Sequence, residues 1–119
     1  VQTVPRELTK QYGIVEVNGE HEKCPTIRSI VEKPDPQVAP STMAVIGRYV
    51  LEPEIFDSLR KIDRGAGGEI QLTDAIAREI PKGKTVACKY DGERFDCGSK
   101  QGFLNATVHY ARKEGYRII

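Results

Sequence analysis

"MAVIGRYVL", residues 43–51, is the stretch on which the fold class turns. It is too continuously apolar for a strand with one wet face, and so predicts a strand covered on both faces, as in an α/β sheet. Upstream, "QYGIVEV" (11–17) predicts a strand of β-branched and aromatic residues, closed by the Asn18-Gly19 turn signal. "TIRSIVEKP" (26–34) predicts a second extended run, stopped by Pro34, which biases Lys33 away from the α region. "DPQVAPS" (35–41) carries two prolines and reads as a loop. Downstream, a helix is expected from Pro53, a residue suited to the first turn, with Ile55, Phe56, Leu59 and Ile62 on its inner side. "DRGAGGE" (63–69) reads as a glycine-rich loop, and "IQLTDAIAREI" (70–80) as a second helix with Leu72, Ile76 and Ile80 four apart. "KTVACKY" (84–90) predicts a strand, followed by an Asp91-Gly92 turn. Ser99 is the expected N-cap of a last helix running to about Glu114, with Phe103, Leu104, Ala106, Val108, Tyr110 and Ala111 inward and Gly115 as its stop. Strands and helices mix without strict alternation, which is an α/β or α+β layer structure.

Composition bounds the function. At 119 residues the chain fits one domain. Lys plus Arg number 18 against 17 for Asp plus Glu, so no global field draws it to nucleic acid or an anionic membrane. No apolar run approaches the roughly 18 residues of a membrane span, and no signal peptide opens the chain. The expectation is a soluble cytoplasmic protein without nucleic-acid or membrane partners. The three cysteines, Cys24, Cys88 and Cys97, are odd in number and widely spaced, with no C-x-x-C and no histidine pairing. That spacing speaks against zinc and thioredoxin chemistry. Small, buried or half-buried thiols in a reducing compartment are expected instead.

Two places could carry chemistry. "RFDCGSKQGF" (94–103) sets Asp96 where an extended run stops and a helical pattern begins. Open α/β sheets bind ligands in the crevice outside such strand ends. A carboxylate there can hold a hard cation such as Mg²⁺ through oxygen. Gly98 lets a ligand approach the backbone, and the amides opening the next helix favour an anion. The alternative is that Asp96 merely orders a turn or helps to cap the helix. The second place is the end of "TIRSIVEKP". Neighbours Glu32 and Lys33 would point to opposite faces of an ideal strand, and only a bend at the strand end lets both line one cleft. There the carboxylate would accept from hydroxyls and the ammonium would neutralise a phosphate, a combination suited to a sugar phosphate. The alternative is an ordinary solvated charge pair. "GAGGE" (65–69) fits neither the P-loop nor G-x-G-x-x-G and reads as a flexible loop. His21 and His109 have no Ser or Cys nucleophile motif beside them, so no triad is expected.

Taken in order, "YGIV" (12–15), "VEKP" (31–34), "VAPS" (38–41), "GRYVL" (47–51), "GAGGEIQLTDAI" (65–76) and "FDCGSKQGF" (95–103) form one set. That set closely resembles the C-terminal part of the bacterial UTP–glucose-1-phosphate uridylyltransferases, or UDP-glucose pyrophosphorylases. The resemblance covers nearly the whole chain and includes "VPRELTKQYG" (4–13). "EIQLTDAI" and "DCGSKQG" are its specific pieces, while "VEKP" is shared more widely among sugar-nucleotide pyrophosphorylases.

It implies that residues 1–119 are the C-terminal, sugar-phosphate-binding portion of a Rossmann-like nucleotidyltransferase domain, a mixed sheet with flanking helices. The implied activity joins UTP and glucose 1-phosphate into UDP-glucose and pyrophosphate with Mg²⁺. Gly13 would bring backbone close to the sugar, Glu32 would accept from glucosyl hydroxyls, Lys33 would contact the sugar phosphate, and Asp96 would be a metal ligand. Glu69, Gln71 and Lys100 would support the site, and no catalytic residue is assigned to this half. The family's nucleotide-binding half, with its glycine-rich G-x-G-T-R-type loop and second metal-binding aspartate, has no counterpart in the sequence. The chain alone is therefore expected to be inactive and, through exposed strand edges and apolar faces, to form homo-oligomers. A stand-alone sugar-nucleotide-binding module, and a sister enzyme such as a thymidylyltransferase, remain the alternative readings.

Overall fold

The structure is a computed structural model and describes residues 1–19 and 21–118. Its sheet has the order β1-β4-β2-β3, built from β1 (Gln2–Thr3), β2 (Gly13–Asn18), β3 (Thr26–Glu32) and β4 (Met43–Ala44). All three strand pairs are antiparallel. The β2–β3 hairpin runs from Gly13 opposite Glu32 to Asn18 opposite Thr26, with a bulge between Glu16 and Val17. A 3-10 turn, Arg6–Gln11, leads into β2. Helices α1 (Ile55–Arg60), α2 (Leu72–Glu79) and α3 (Lys100–Lys113) follow.

The run at 84–90 meets the start of β3 through three backbone hydrogen bonds. Ile27 N donates to Thr85 O at 2.9 Å, Ala87 N to Pro25 O at 2.8 Å and Lys89 N to Lys23 O at 3.0 Å. Pro25 has no N–H to return, and only Thr26 and Val86 form a β-bridge. On its other side, Val1 N donates to Cys88 O at 2.7 Å and Tyr90 N donates to Val1 O at 2.7 Å. These bonds tie the run to the start of the chain, but the strand expected over 84–90 is not formed beyond the bridge at Val86, and the four paired strands are antiparallel.

The core forms around β2. Ile14 packs with Val4 and Ala44 on one face, and Val15 with Ile27 and Ala87 on the other. A third cluster, Ile55, Ala75 and Ile76, joins α1 to α2, with Ile30 of β3 against it. The strand covered on both faces is thus β2.

The 43–51 run departs from its prediction. Strand pairing ends at Ala44, Val45 N still donates to Gly13 O at 2.8 Å, and Gly47 at φ +73 then turns the chain away. Val50 beyond it is fully exposed, at 102%. The expected helix at 53 begins at Ile55 and lasts six residues. Ile55 is buried against α2, but Phe56 is 61% exposed, because so short a helix presents only one narrow face to its neighbour.

Helix α3 begins and ends as expected. Ser99 Oγ accepts from Gly102 N at 3.0 Å. At the far end Gly115 (φ +83) donates to Arg112 O and Tyr116 N to Ala111 O, the paired bonds of a Schellman motif. Its apolar side nevertheless reaches no core: none of its residues is buried, and Phe103 is 63% exposed. Local capping suffices to form a helix, whereas burial requires a facing surface.

The thiols also depart from expectation, since all three cysteines are exposed. Cys24 and Cys88 flank the buried Pro25 and Ala87, and strand alternation turns them outward.

Candidate functional site

At the open end of the hairpin, Gly13 and Glu32 stand opposite each other. The Glu32 side chain is only 13% exposed, and its Oε2 accepts from Thr73 Oγ1 at 2.6 Å. Thr73 is buried in the first turn of α2, which lies along β3. A Cβ on Gly13 would stand 3.1 Å from Glu32 Oε2 and 3.4 Å from Thr73, so glycine leaves this carboxylate its place.

Lys33 is where the strand bends. Among the described residues it is the only non-glycine with positive φ, at +47. Pro34 excludes the right-handed helical region as expected, but Lys33 goes to the left-handed side, a conformation costing roughly 1–2 kcal/mol. Its amide donates to Tyr12 O at 3.0 Å, and the buried Pro34 follows, which holds the turn. The result is Lys33 Nζ at 3.9 Å from Glu32 Oε1: consecutive residues on one side of the chain. Tyr49 is also close enough to feel this carboxylate. Burial, and then the Glu32 charge, hold its phenol above the ordinary value.

Asp96 lies in a more open setting. Its Oδ1 accepts from Gly98 N at 3.0 Å, an Asx turn, and its Oδ2 accepts from the Tyr12 hydroxyl at 3.5 Å. Arg94 donates to the same hydroxyl at 3.0 Å and to Gln2 Oε1 at 3.3 Å, with its guanidinium 5.0 Å from the Tyr12 ring centroid. A side chain at Gly102 would collide with the Asp96 carbonyl, so glycine is needed where α3 starts against this turn. Tyr12 therefore touches both corners, Lys33 through its carbonyl and Asp96 through its hydroxyl.

No group of three or more His, Cys, Asp or Glu that could hold a metal is gathered among the described residues. A cation at Asp96 would take one carboxylate from this chain and its remaining oxygens from phosphates and water, the way Mg²⁺ is usually held.

The supporting residues sit around this frame. Gln71 is the N-cap of α2, two residues before Thr73. Glu69 O accepts from Gly65 N at 2.8 Å, and the side chains of Glu69 and Lys100 are exposed. Thr73, Tyr12 and Arg94 escaped the sequence reading. Thr73 had a signal, being a polar residue three before Ile76 and seven before Ile80, on the apolar stripe of its helix. Two cavities, of about 610 and 470 Å³, lie elsewhere, where residues 50, 51 and 76 face 85 and 86.

Comparison with known proteins finds relatives along most of the chain. The nucleotidyl transferase family pattern matches residues 1–113. The UTP–glucose-1-phosphate uridylyltransferase of Pseudomonas aeruginosa is 44% identical over 107 residues, covering 90% of this chain and 38% of that protein. Its counterpart in Komagataeibacter xylinus is 51% identical over 100 residues, 84% of this chain and 35% of that one. A solved UDP-glucose pyrophosphorylase complexed with UDP-glucose superposes with a TM-score of 0.89 at 38% identity, over 94% of this chain and 42% of its own. The UTP-bound UGPase from Acinetobacter baumannii gives 0.77 at 41% identity, over 94% and 38%. The chain thus spans about two fifths of the length of the relatives it matches. With that match across almost its whole length, and with the resemblance read from its motifs borne out by these relatives, the chain belongs to the nucleotidyl transferase family.

Proposed function

We propose that this chain is the C-terminal, sugar-phosphate-binding part of an enzyme that forms UDP-glucose and pyrophosphate from UTP and glucose 1-phosphate. The observation that carries it is the left-handed turn at Lys33, which sets an ammonium beside a carboxylate already held by Thr73. The names of the relatives supply the substrates. In the reaction an oxygen of the sugar phosphate attacks the α-phosphorus of UTP, and pyrophosphate leaves. Glu32 accepts from the glucosyl hydroxyls, Gly13 lets the sugar lie against the backbone, and Lys33 neutralises the sugar phosphate. Asp96 offers oxygen to Mg²⁺, which when bound offsets charge crowding on the phosphates. Glu69, Gln71 and Lys100 border the site. Positioning and charge neutralisation are what these residues contribute.

The nucleotide-binding half lies elsewhere in the protein on this reading, the chain alone does not turn over, and the setting is the cytoplasm. Exposed Val50, Phe103 and Tyr110 favour association with a second copy.

An amide NMR titration with UDP-glucose, with and without Mg²⁺, tests the site. Shifts confined to Gly13, Glu32, Lys33, Thr73 and the Asp96–Gly98 turn are expected. Silence at millimolar ligand would overturn a preformed sugar site.

A further inference from the structure

We propose that Cys24 and Cys88 are a dithiol–disulfide pair, a modification site that low-molecular-weight disulfides of the glutathione type oxidise and free thiols restore. Although 64 residues apart in sequence, their sulfur atoms stand 2.8 Å from each other. The ladder between 23–27 and 85–89 explains the approach. Its hydrogen bonds fall at the pairs 27–85, 25–87 and 23–89, and its bridge at Thr26–Val86. In that register Cys24 lies directly opposite Cys88, at a non-hydrogen-bonded position. Such pairs have Cα atoms about 4.5 Å apart with their side chains close together, within the roughly 4.4–6.8 Å that a disulfide accepts. Alternation has already placed both sulfurs on the outer face, and both residues are exposed, so an oxidant in solution can reach them.

The contact fits a stepwise exchange. Hydrogen bonding with Cys88, then burial and the charge of Cys88, hold the Cys24 thiol above its ordinary value, with Lys23 opposing. The thiolate of one cysteine attacks one sulfur of glutathione disulfide, forming a mixed disulfide and releasing one glutathione thiolate. The other cysteine then loses its proton to solvent, and its thiolate attacks the sulfur of the first. The Cys24–Cys88 bond forms and the second glutathione leaves. The two thiols are oxidised by two electrons and one glutathione disulfide is reduced to two glutathiones. Excess reduced glutathione runs the steps backward, since exposed disulfides belong to the labile class.

The bond would fasten the 84–90 run to the start of β3, where Pro25 has no N–H to add to the ladder. That run leads on to Arg94 and Asp96, so the staple acts on the approach to the more open corner of the site.

The test incubates the purified chain with glutathione disulfide, then blocks the remaining thiols and maps the peptides by mass spectrometry. In Cys97→Ser, free thiols should fall from two to none, and the monomer, weighed before blocking, should become two hydrogen masses lighter. A Cys24–Cys88 cross-linked peptide should appear, persist in Cys97→Ser, vanish in Cys24→Ser and Cys88→Ser, and be lost on adding reduced glutathione. Three alkylatable thiols after treatment would overturn the proposal. Stable glutathione adducts on Cys24 or Cys88, or cross-links only between chains, would do the same. Persistence under reduced glutathione would overturn its reversibility.

Discussion

Glu32 and Asp96, two carboxylates that one tyrosine connects, are held in very different ways. Glu32 sits at the end of a seven-residue strand, bonded at 2.6 Å to a buried threonine and closed off by a glycine. Asp96 is exposed, shapes its own turn, and meets Tyr12 at only 3.5 Å. Behind Glu32 stand β2, β3 and α2; behind Asp96 stands α3, which buries none of its side chains. On the roles proposed above, the sugar corner is set by the folding of the domain, whereas the cation corner is left for ligand to complete. Preorganisation at Glu32 would then cut the cost of binding there, and looseness at Asp96 would leave that cost to be met by metal and phosphate.

The sharpest way to break this contrast is Thr73→Val. It keeps the shape but leaves a mostly buried carboxylate short of a donor, and should cost about 1.5–3 kcal/mol of stability, read from the midpoint of denaturant unfolding. No change would show that Glu32 is not held as described. Lys33→Gly should act in the opposite direction. Relief of the left-handed backbone, less the flexibility of glycine, predicts a gain of about 0.5–1 kcal/mol together with weaker UDP-glucose binding. A loss in both would mean that the turn is not strained.

Asp96→Asn should leave unfolding within about 0.5 kcal/mol of the parent, as exposed positions do, while abolishing the Mg²⁺-dependent part of the UDP-glucose shifts. Calorimetry and the NMR titration separate the two effects. The smallest effect is electrostatic. Because the Glu32 charge is the second cause, after burial, of the raised Tyr49 pKa, Glu32→Gln should bring that phenol only part of the way down towards 10.0. A pH titration of the Tyr49 ring resonances reads this, and an unmoved value would place Glu32 farther away than the fold implies.

The same contrast explains what was legible in the sequence. The hairpin, α2 and the capped ends of α3 follow from local patterns, and local patterns are what a single chain displays. The bend required for Glu32 and Lys33 to share a cleft was also readable, because an alternating strand forbids it otherwise. The 43–51 run misled because apolar residues report a demand for cover, and Gly47 takes the chain away from the sheet before that demand is met. α3 misled in the same way. Thr73 was visible only as one polar residue on an apolar stripe. The meeting of Cys24 with Cys88, and the grip of Arg94 on Tyr12, depend on segments 64 and 82 residues apart, which no local spacing encodes.

The run at 84–90 bears on how the domain assembles in time. β2 and β3 are joined by a short connection, so their pairing can begin as soon as the turn closes. Joining Val1 to Cys88, Gln2 to Gly92 and Arg94 to Gln2 instead requires ends 87, 90 and 92 residues apart to meet. Long closures forfeit more chain entropy before any contact repays it, and topologies rich in them fold slowly. The hairpin then belongs to the early events and the seam along residues 88–94 to the last, which leaves Asp96 searching for its place after Glu32 has found its own.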